Sequence, residues 1–454
     1  MHGRVADGCP ADPSAPLPIR QFIIKIHSRC NLACDYCYVY TMADQRWRER
    51  PRVMSRRIVD ATAERLAEHV RGHALPAVDI VLHGGEPLLA GAETMTRCVR
   101  AIRAALRDGH ADGPASVRFS LQTNGVLLDH GFLELFRDLD VRVGISLDGT
   151  RQVHDRHRVD RAGRGSHARV SQALRRLAAP RYRDIYAGLL CTIDLDGDPV
   201  AAYRALLDFS PPAVDFLLPD GNWQSPPPGR PADQGDPRYG RWLVAVFDQW
   251  YAAPVRQTRV RLFEEIMALW LGGRSRTEGI GGGPSRTVVV ETDGSIEDSD
   301  RLNATYPGAA ATGLDVLSSS FDAVLRLPSV ERRRHAAGRL PRACRPCRLR
   351  RICGGGYHAH RYRAGTGFDN PSVYCADLCL LITHIGRRLA RDVAALRNPA
   401  AFQGRPGVPG QGANWATTGE SVPSAAPGAL GEIRPPDTRT AGTATRATDE
   451  GRPR

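Results

Sequence analysis

The chain is predicted to fold as an α/β protein built on a mostly parallel sheet. Short apolar runs alternate with amphipathic stretches from residue 20 to about 272, the pattern of strands joined by crossover helices. Polar and glycine-rich strings close several of those runs, where parallel α/β folds build their sites. At 454 residues there is room for two or three domains and a sizeable core.

The first strand, 20–27, contains Phe22-Ile23-Ile24-Lys25-Ile26, and later apolar runs give strands at 77–82, 116–121, 141–147, 184–193 and 213–218. The stretches between and after them give helices at about 55–71, 91–108, 129–138, 167–178, 198–209 and 237–271. Gly279 to Pro284 interrupts the alternation and reads as a turn into a second domain. The expected organisation is a disordered 1–18, a first domain over 19–275, a second over 276–395, and a Pro-, Gly-, Ala- and Thr-rich tail over 396–454 without periodicity, hence disordered.

The net charge of +13 is almost wholly arginine, because Lys25 is the only lysine. A whole-chain arginine bias reads as genomic composition. Arginine runs such as Arg332-Arg333-Arg334 come without a nucleic-acid module, so solvated faces or an acidic peptide partner are expected, not nucleic acid. No apolar run approaches a membrane span, and the first 18 residues lack a signal core. Seven of the eleven cysteines are tightly clustered, which suits metal or redox work in the cytoplasm. Cys9, Cys98 and Cys191 stand alone and read as structural thiols.

Cys30, Cys34 and Cys37 have the spacing Cys-x3-Cys-x2-Cys directly after the first strand. Three thiolates can hold three irons of a [4Fe–4S] cube and leave the fourth open to a non-protein ligand, whereas clusters normally take four. A zinc site would need a second pair of ligands, and none lies nearby. About fifty residues on, His83-Gly84-Gly85-Glu86-Pro87 closes the second strand; its glycines permit close backbone approach to a ligand, and a tight turn is the plainer reading. Ser120-Leu121-Gln122-Thr123-Asn124-Gly125 and Gly144-Ile145-Ser146-Leu147-Asp148-Gly149 end the third and fourth strands with groups able to hydrogen-bond a ribose or to cap the following helices.

These motifs together resemble the radical S-adenosylmethionine (SAM) enzymes. The resemblance implies a partial (β/α)6 barrel and one-electron cleavage of SAM to a 5′-deoxyadenosyl radical that removes hydrogen from an unactivated carbon. It carries over Gly84, Gly85 and Glu86 as the SAM amino-group motif, with Ser120, Gln122, Asn124, Ser146 and Asp148 at the strand ends. It also implies Arg158 on the SAM carboxylate and Leu190 near adenine.

A second group, Cys344-x2-Cys347-x5-Cys353 followed by Cys375, resembles the SPASM domain of peptide-modifying radical SAM enzymes, which has seven cysteines and usually two further [4Fe–4S] clusters. Here Gly294 matches the motif, but Ser299 and Tyr357 occupy cysteine positions. The resemblance therefore implies one auxiliary [4Fe–4S] cluster, held by Cys344, Cys347, Cys353 and Cys375, with zinc as the other occupant of such a site. Cys379 is a spare or a replacement for Cys375. Asp300 follows Ser299; in sulfatase-maturing relatives an aspartate at this motif position is the base. A closed cavity would raise its pKa, while the acidic neighbours Asp293, Glu297 and Asp298 suit a solvated loop.

Val39-Tyr40 with Ala43-Asp44-Gln45, the string from His83 to Gly91, and Gly367-Phe368-Asp369-Asn370-Pro371-Ser372-Val373-Tyr374-Cys375 are similar to the FxsB-type peptide maturases. That likeness implies a ribosomally made precursor peptide, an external electron donor of flavodoxin or ferredoxin type, and a cyclophane joining an aromatic side chain to the β-carbon of a nearby residue in a Phe-x-Ser or Phe-x-Asn core. The alternatives are thioether formation, formylglycine formation, or a catalytically silent iron–sulfur leader-binding partner.

Overall fold

The computed structural model describes residues 17–107, 115–230, 235–275, 277–334 and 340–397. Most of the expected disordered 1–18 and 396–454, and Cys9, lie outside them. The chain divides into two compact units, Met1–Ile385 and Gly386–Arg454. The described part of the second unit, 386–397, is helical, with an Arg388–Asp392 pair at 3.8 Å.

The first unit begins with β1 (Gln21–His27), α1 (Arg56–Gly72), β2 (Ala77–Gly84), α2 (Gly91–Arg107), β3 (Ser116–Thr123), α3 (His130–Asp138) and β4 (Val141–Ser146). It continues through α4 (Arg151–His157), α5 (His167–Leu177), β5 (Tyr186–Thr192), α6 (Pro199–Leu207), β6 (Ala213–Leu217), α7 (Arg238–Ala252), β7 (Arg259–Val260) and α8 (Arg261–Trp270). The last group is β8 (Thr287–Val290), β9 (Ser295–Glu297), β10 (Ala311–Asp315), α9 (Phe321–Leu325), α10 (Pro328–Arg334), α11 (Arg350–Cys353) and the part up to Ile385 of α12 (Cys375–Arg397). Among the described residues one sheet takes ten strands in the order β10-β9-β8-β1-β2-β3-β4-β5-β6-β7, with β8 and β1 to β7 paired in parallel and β9 antiparallel to both its neighbours, β8 and β10.

Polar residues start the crossover helices where the pattern requires. Ser55, Asp129, Thr150 and Asp198 each accept a hydrogen bond from the backbone N–H three residues on, which satisfies an otherwise orphaned donor. The strands alternate: Val78, Ile80 and Leu82 of β2, and Phe119 and Leu121 of β3, are buried, while Asp79, Val81, His83, Ser120 and Gln122 on the other face are only half-buried. That more open, polar inner face carries the site.

Two features depart from the sequence expectation. The single helix at 237–271 is broken into α7 and α8 by residues 253–260. Pro254 has no N–H and disfavours helical backbone at Ala253, which is extended here at ψ 129°. The sheet also continues beyond β1, because β8 pairs with it from Gln21↔Thr287 to Ile24↔Val290. The short strands after residue 286 carry no recognisable strand–helix repeat in the sequence.

A buried charge network fastens that added edge. Arg50 reaches Glu291 at 2.9 Å and Glu297 at 2.5 Å, Arg46 reaches Glu297 at 2.8 Å, and Lys25 of β1 reaches Glu291 at 2.7 Å. Breaking one partner leaves the carboxylates buried and unbalanced. Arg50→Ala is expected to lower stability by about 3–5 kcal/mol, seen as a lower urea midpoint at an unchanged slope.

Candidate active site

The cysteine loop leaves the end of β1 and is clamped from two sides. On one side it lies against the end of β2. A Cβ on Gly84 would come within 2.2 Å of the His27 carbonyl oxygen, and one on Gly85 within 2.5 Å of that of Arg29 and 1.8 Å of the Tyr40 hydroxyl. Gly85 N–H donates to the His27 carbonyl and Glu86 N–H to that of Arg29. Only glycine permits this approach. On the other side, Ala33 N–H donates to the Val159 carbonyl at 2.8 Å, and Leu32 bridges Asp160.

Asp148 organises that second clamp from the end of β4. One carboxylate oxygen accepts from Thr192 N–H at 2.9 Å; the other accepts from Arg158 Nε–H at 2.8 Å and from the Tyr36 hydroxyl in a short contact. Both oxygens are thus engaged inside the protein, in place of the ribose contact expected of Asp148. Burial would raise its pKa, but Arg158 foremost, with His154, holds the carboxyl below the usual range. Arg158, expected on the SAM carboxylate, gives its Nε to Asp148 and lies 5.5 Å over the ring of Tyr36.

Glu86 is fully buried. Its carboxylate accepts from Leu88 N–H (3.0 Å), the Thr123 hydroxyl (2.7 Å) and Asn124 N–H (2.8 Å), and so ties β2 to β3. Burial outweighs these bonds and pushes its pKa up to about 7. Asn124 donates its side-chain N–H to Asn31 at 2.8 Å and to the Cys30 sulfur at 3.7 Å. Gln122 donates to the Ser146 hydroxyl at 3.0 Å across β3 and β4. Ser146 pairs in register with Leu190 of β5, and Ser120 with Val81 of β2, so Ser120, Gln122, Ser146 and Leu190 share the inner face.

Cys30, Cys34 and Cys37 are all free thiols. Burial pushes Cys30 up to about 12 and Cys34 to about 11, and raises Cys37; the nearby sulfurs raise Cys30 and Cys34 further. Neighbouring half-buried thiolates repel one another unless a cation joins them, and iron binds the thiolate form. The loop therefore fits a three-thiolate cluster. Cys98 and Cys191 are isolated and buried, as structural thiols should be.

Asp300 enters the same mouth from the first turn of a 3-10 helix, Asp300–Ala304, and is 8 % exposed, so the solvated-loop alternative does not hold. It accepts from the Tyr38 hydroxyl at 2.6 Å, and Lys25 Nζ stands 4.0 Å away. The expected raised pKa is corrected. Burial acts upward, but Lys25 above all, then His83, Tyr38 and Arg301, hold the carboxyl below its ordinary value. Asp300 is therefore less basic than burial alone would make it. Sequence reasoning missed Lys25, Tyr36, Tyr38 and His83 as site residues; a lone lysine inside an apolar strand was the available signal for the first.

In the second cysteine group, Arg361 donates to the carbonyls of Gly354, Gly355 and Gly356 at 2.8–2.9 Å and shapes the loop after Cys353. Burial pushes Cys353 up to about 12 and Cys375 to about 11, and each lies close enough to Cys344 and Cys347 to feel their charge. Cys379, further along α12, has its thiol pushed up by burial foremost and then by Cys347. Tyr357 packs under Arg301 at 4.4 Å and against Gly279, filling the place of a cysteine in the SPASM pattern.

Residues 24–193, which carry the three-thiol loop and the polar strand ends of the inner face, match the family model of the Radical SAM superfamily. The chain is 28% identical over 369 residues to the serine-type anaerobic sulfatase-maturating enzyme of Klebsiella pneumoniae, spanning 78% of this chain and 85% of that protein. It is 26% identical over 294 residues to the cysteine-type enzyme of Clostridium perfringens (strain 13 / Type A), spanning 62% and 74%. In fold it is similar to native anSMEcpe with bound AdoMet, with a TM-score of 0.70 at 22% identity over 83% of this chain and 99% of that one. It is also similar to Streptococcus suis SuiB bound to precursor peptide SuiA, with a TM-score of 0.52 at 12% identity over 79% and 76%. Among the described residues no helix is long and apolar enough to cross a membrane.

Gly85→Ala is expected to displace the cysteine loop and cut iron and sulfide bound per chain at least several-fold, measured by iron and acid-labile sulfide analysis after anaerobic reconstitution.

Proposed function

We propose that the protein is a maturase that oxidises a residue of a ribosomally made peptide or protein at its β-carbon. The observation that carries this reading is the placement of Asp300: Tyr38, the residue directly after Cys37, donates to it at 2.6 Å, so a buried, ionised carboxylate stands beside the cysteine loop. SAM held at a three-thiolate [4Fe–4S] cluster on Cys30, Cys34 and Cys37 supplies the hydrogen-abstracting radical. Removing one hydrogen atom, one proton and one electron from the substrate completes a two-electron oxidation. The hydrogen atom goes to the SAM-derived radical, Asp300 takes the proton with Lys25 and Tyr38 holding its carboxylate in place, and an iron–sulfur cluster of the loaded protein would accept the electron.

In this reading Gly84 and Gly85 border the SAM pocket by letting the cysteine loop lie against β2, while Ser120, Gln122, Asn124, Ser146 and Leu190 line the pocket and Arg158 pairs with the SAM carboxylate. Glu86 and Asp148 brace the pocket walls. The proposal keeps a radical SAM domain over 19–275 and an auxiliary domain over 276–395. It assigns Cys344, Cys347, Cys353 and Cys375 to one auxiliary [4Fe–4S] cluster, and it requires an external reductant of flavodoxin or ferredoxin type.

The relatives' names favour oxidation of a seryl or cysteinyl side chain to formylglycine. The second reading, a cyclophane in a Phe-x-Ser or Phe-x-Asn core, rests on the FxsB-like strings around Val39, His83 and Gly367. Mass spectrometry of peptides encoded beside the gene, co-expressed with the protein, tests both. Loss of two hydrogens from a seryl or cyclophane core, abolished by Cys34→Ala, is expected. A hydrazide-reactive product identifies the aldehyde; a hydrazide-silent, protease-resistant one identifies the crosslink. An unmodified peptide from cluster-replete, SAM-cleaving enzyme contradicts the proposal for that peptide.

Asp300→Asn is expected to keep 5′-deoxyadenosine formation and to lower product at least 100-fold, within the usual range for a lost general base. Lys25→Met removes the foremost influence holding the Asp300 pKa down. A higher pKa leaves less of the ionised base at acid pH, so the acidic limb of the pH–rate profile is expected to move to higher pH.

A further inference from the structure

We propose that His69, His73 and Asp322 form a divalent-metal site, suited to zinc, at the end of the sheet opposite the cysteine loop. The two histidines lie one turn apart at the end of α1, and the aspartate comes from the first turn of α9. Asp322 Oδ1 lies 2.6 Å from His69 Nδ1 and 2.9 Å from His73 Nε2, and one ligand atom from each residue falls within 4.8 Å of the others. Tetrahedral zinc with bonds of about 2.0–2.1 Å separates its ligand atoms by about 3.3 Å. To admit the ion the carboxylate withdraws from the two imidazoles by about half an ångström.

The surroundings of His69 suit a ligand. Its ring is buried and flanked edge-on by Phe22 of β1 and Phe321 of α9, which fix its plane. Its Nε2 faces both backbone groups of Ile19: the N–H at 3.1 Å, from which it can accept, and the carbonyl at 3.2 Å, to which it can donate. Either tautomer is therefore satisfied. When Nδ1 carries the proton, it donates to Asp322 and Nε2 accepts from Ile19. When Nδ1 binds metal, the proton moves to Nε2 and donates to the Ile19 carbonyl, the second contact that metal-bound histidines usually make.

His73 is the C-cap of α1, where the free carbonyls of the last turn favour a cation. His73 and Asp322 are about a third exposed, which gives the ion an entry route and leaves a fourth position for water. Because Ile19 precedes β1 while the cysteines come after it, the ion's role is to staple α9 to α1 and to the start of β1, away from the chemistry.

The test uses the full chain with its iron–sulfur clusters in place, equilibrated with zinc and desalted. The wild type is expected to hold about one zinc per chain more than His73→Gln or Asp322→Asn, with equal iron in all three. Zinc should raise the unfolding temperature of the wild type alone. X-ray absorption at the zinc edge should show a nitrogen and oxygen shell at about 2.0–2.1 Å; sulfur at about 2.3 Å would mark zinc on cysteines instead. Equal zinc in wild type and variants, or a sulfur shell only, overturns the site and leaves a hydrogen-bonded cluster.

Discussion

The close approach of the β2 glycines to the cysteine loop is the constraint on which the site depends. Three half-buried thiols on one short loop have no reason to converge unless the backbone forces them together. Gly84 and Gly85 let the loop lie directly against the second strand, and the Asp148–Arg158–Tyr36 group holds it from the fourth and fifth. Glu86, locked by three hydrogen bonds, joins the second strand to the third at the same level. The loop is thus gripped at both ends of an arc of strands, and the sulfurs are positioned before any iron arrives.

The second constraint is electrostatic. Lys25 sits on the inner face of β1 and is shared between Glu291 and Asp300, both contributed by the chain after residue 286. The added strand β8 is therefore more than a lengthening of the sheet, because Glu291 follows it directly and Asp300 comes after β9, and the two bring the later segment against the mouth. One buried cation fastens that segment and sets the protonation of the proposed base. The same pairing explains why Asp300 is ionised despite its burial.

Much of this was legible in the sequence where the information is local. The Cys30–Cys37 spacing, the His83–Pro87 turn and the strand–helix alternation each lie within a few residues of one another, and each appears in the fold. Contacts between distant segments were not legible. Tyr38 and Asp300 are 262 positions apart, and nothing in either stretch signals the other. The pKa of Asp300 was misjudged for that reason: burial follows from a local reading, but the lysine that opposes it comes from another strand. Likewise Asp148 looked like a ribose contact until Thr192, Arg158 and Tyr36 were found on its oxygens. Pro254, by contrast, was a visible local signal that the long periodic stretch overrode.

Electron paramagnetic resonance of the anaerobically reduced, reconstituted protein, with and without SAM, tests the central claim most directly. A cluster with one iron left open by Cys30, Cys34 and Cys37 must change its signal when SAM binds, in an amount corresponding to one cluster per chain, while the signal of a fully cysteine-ligated cluster stays as it was. A reduced spectrum indifferent to saturating SAM, in protein carrying its full complement of iron and sulfide, would contradict the account.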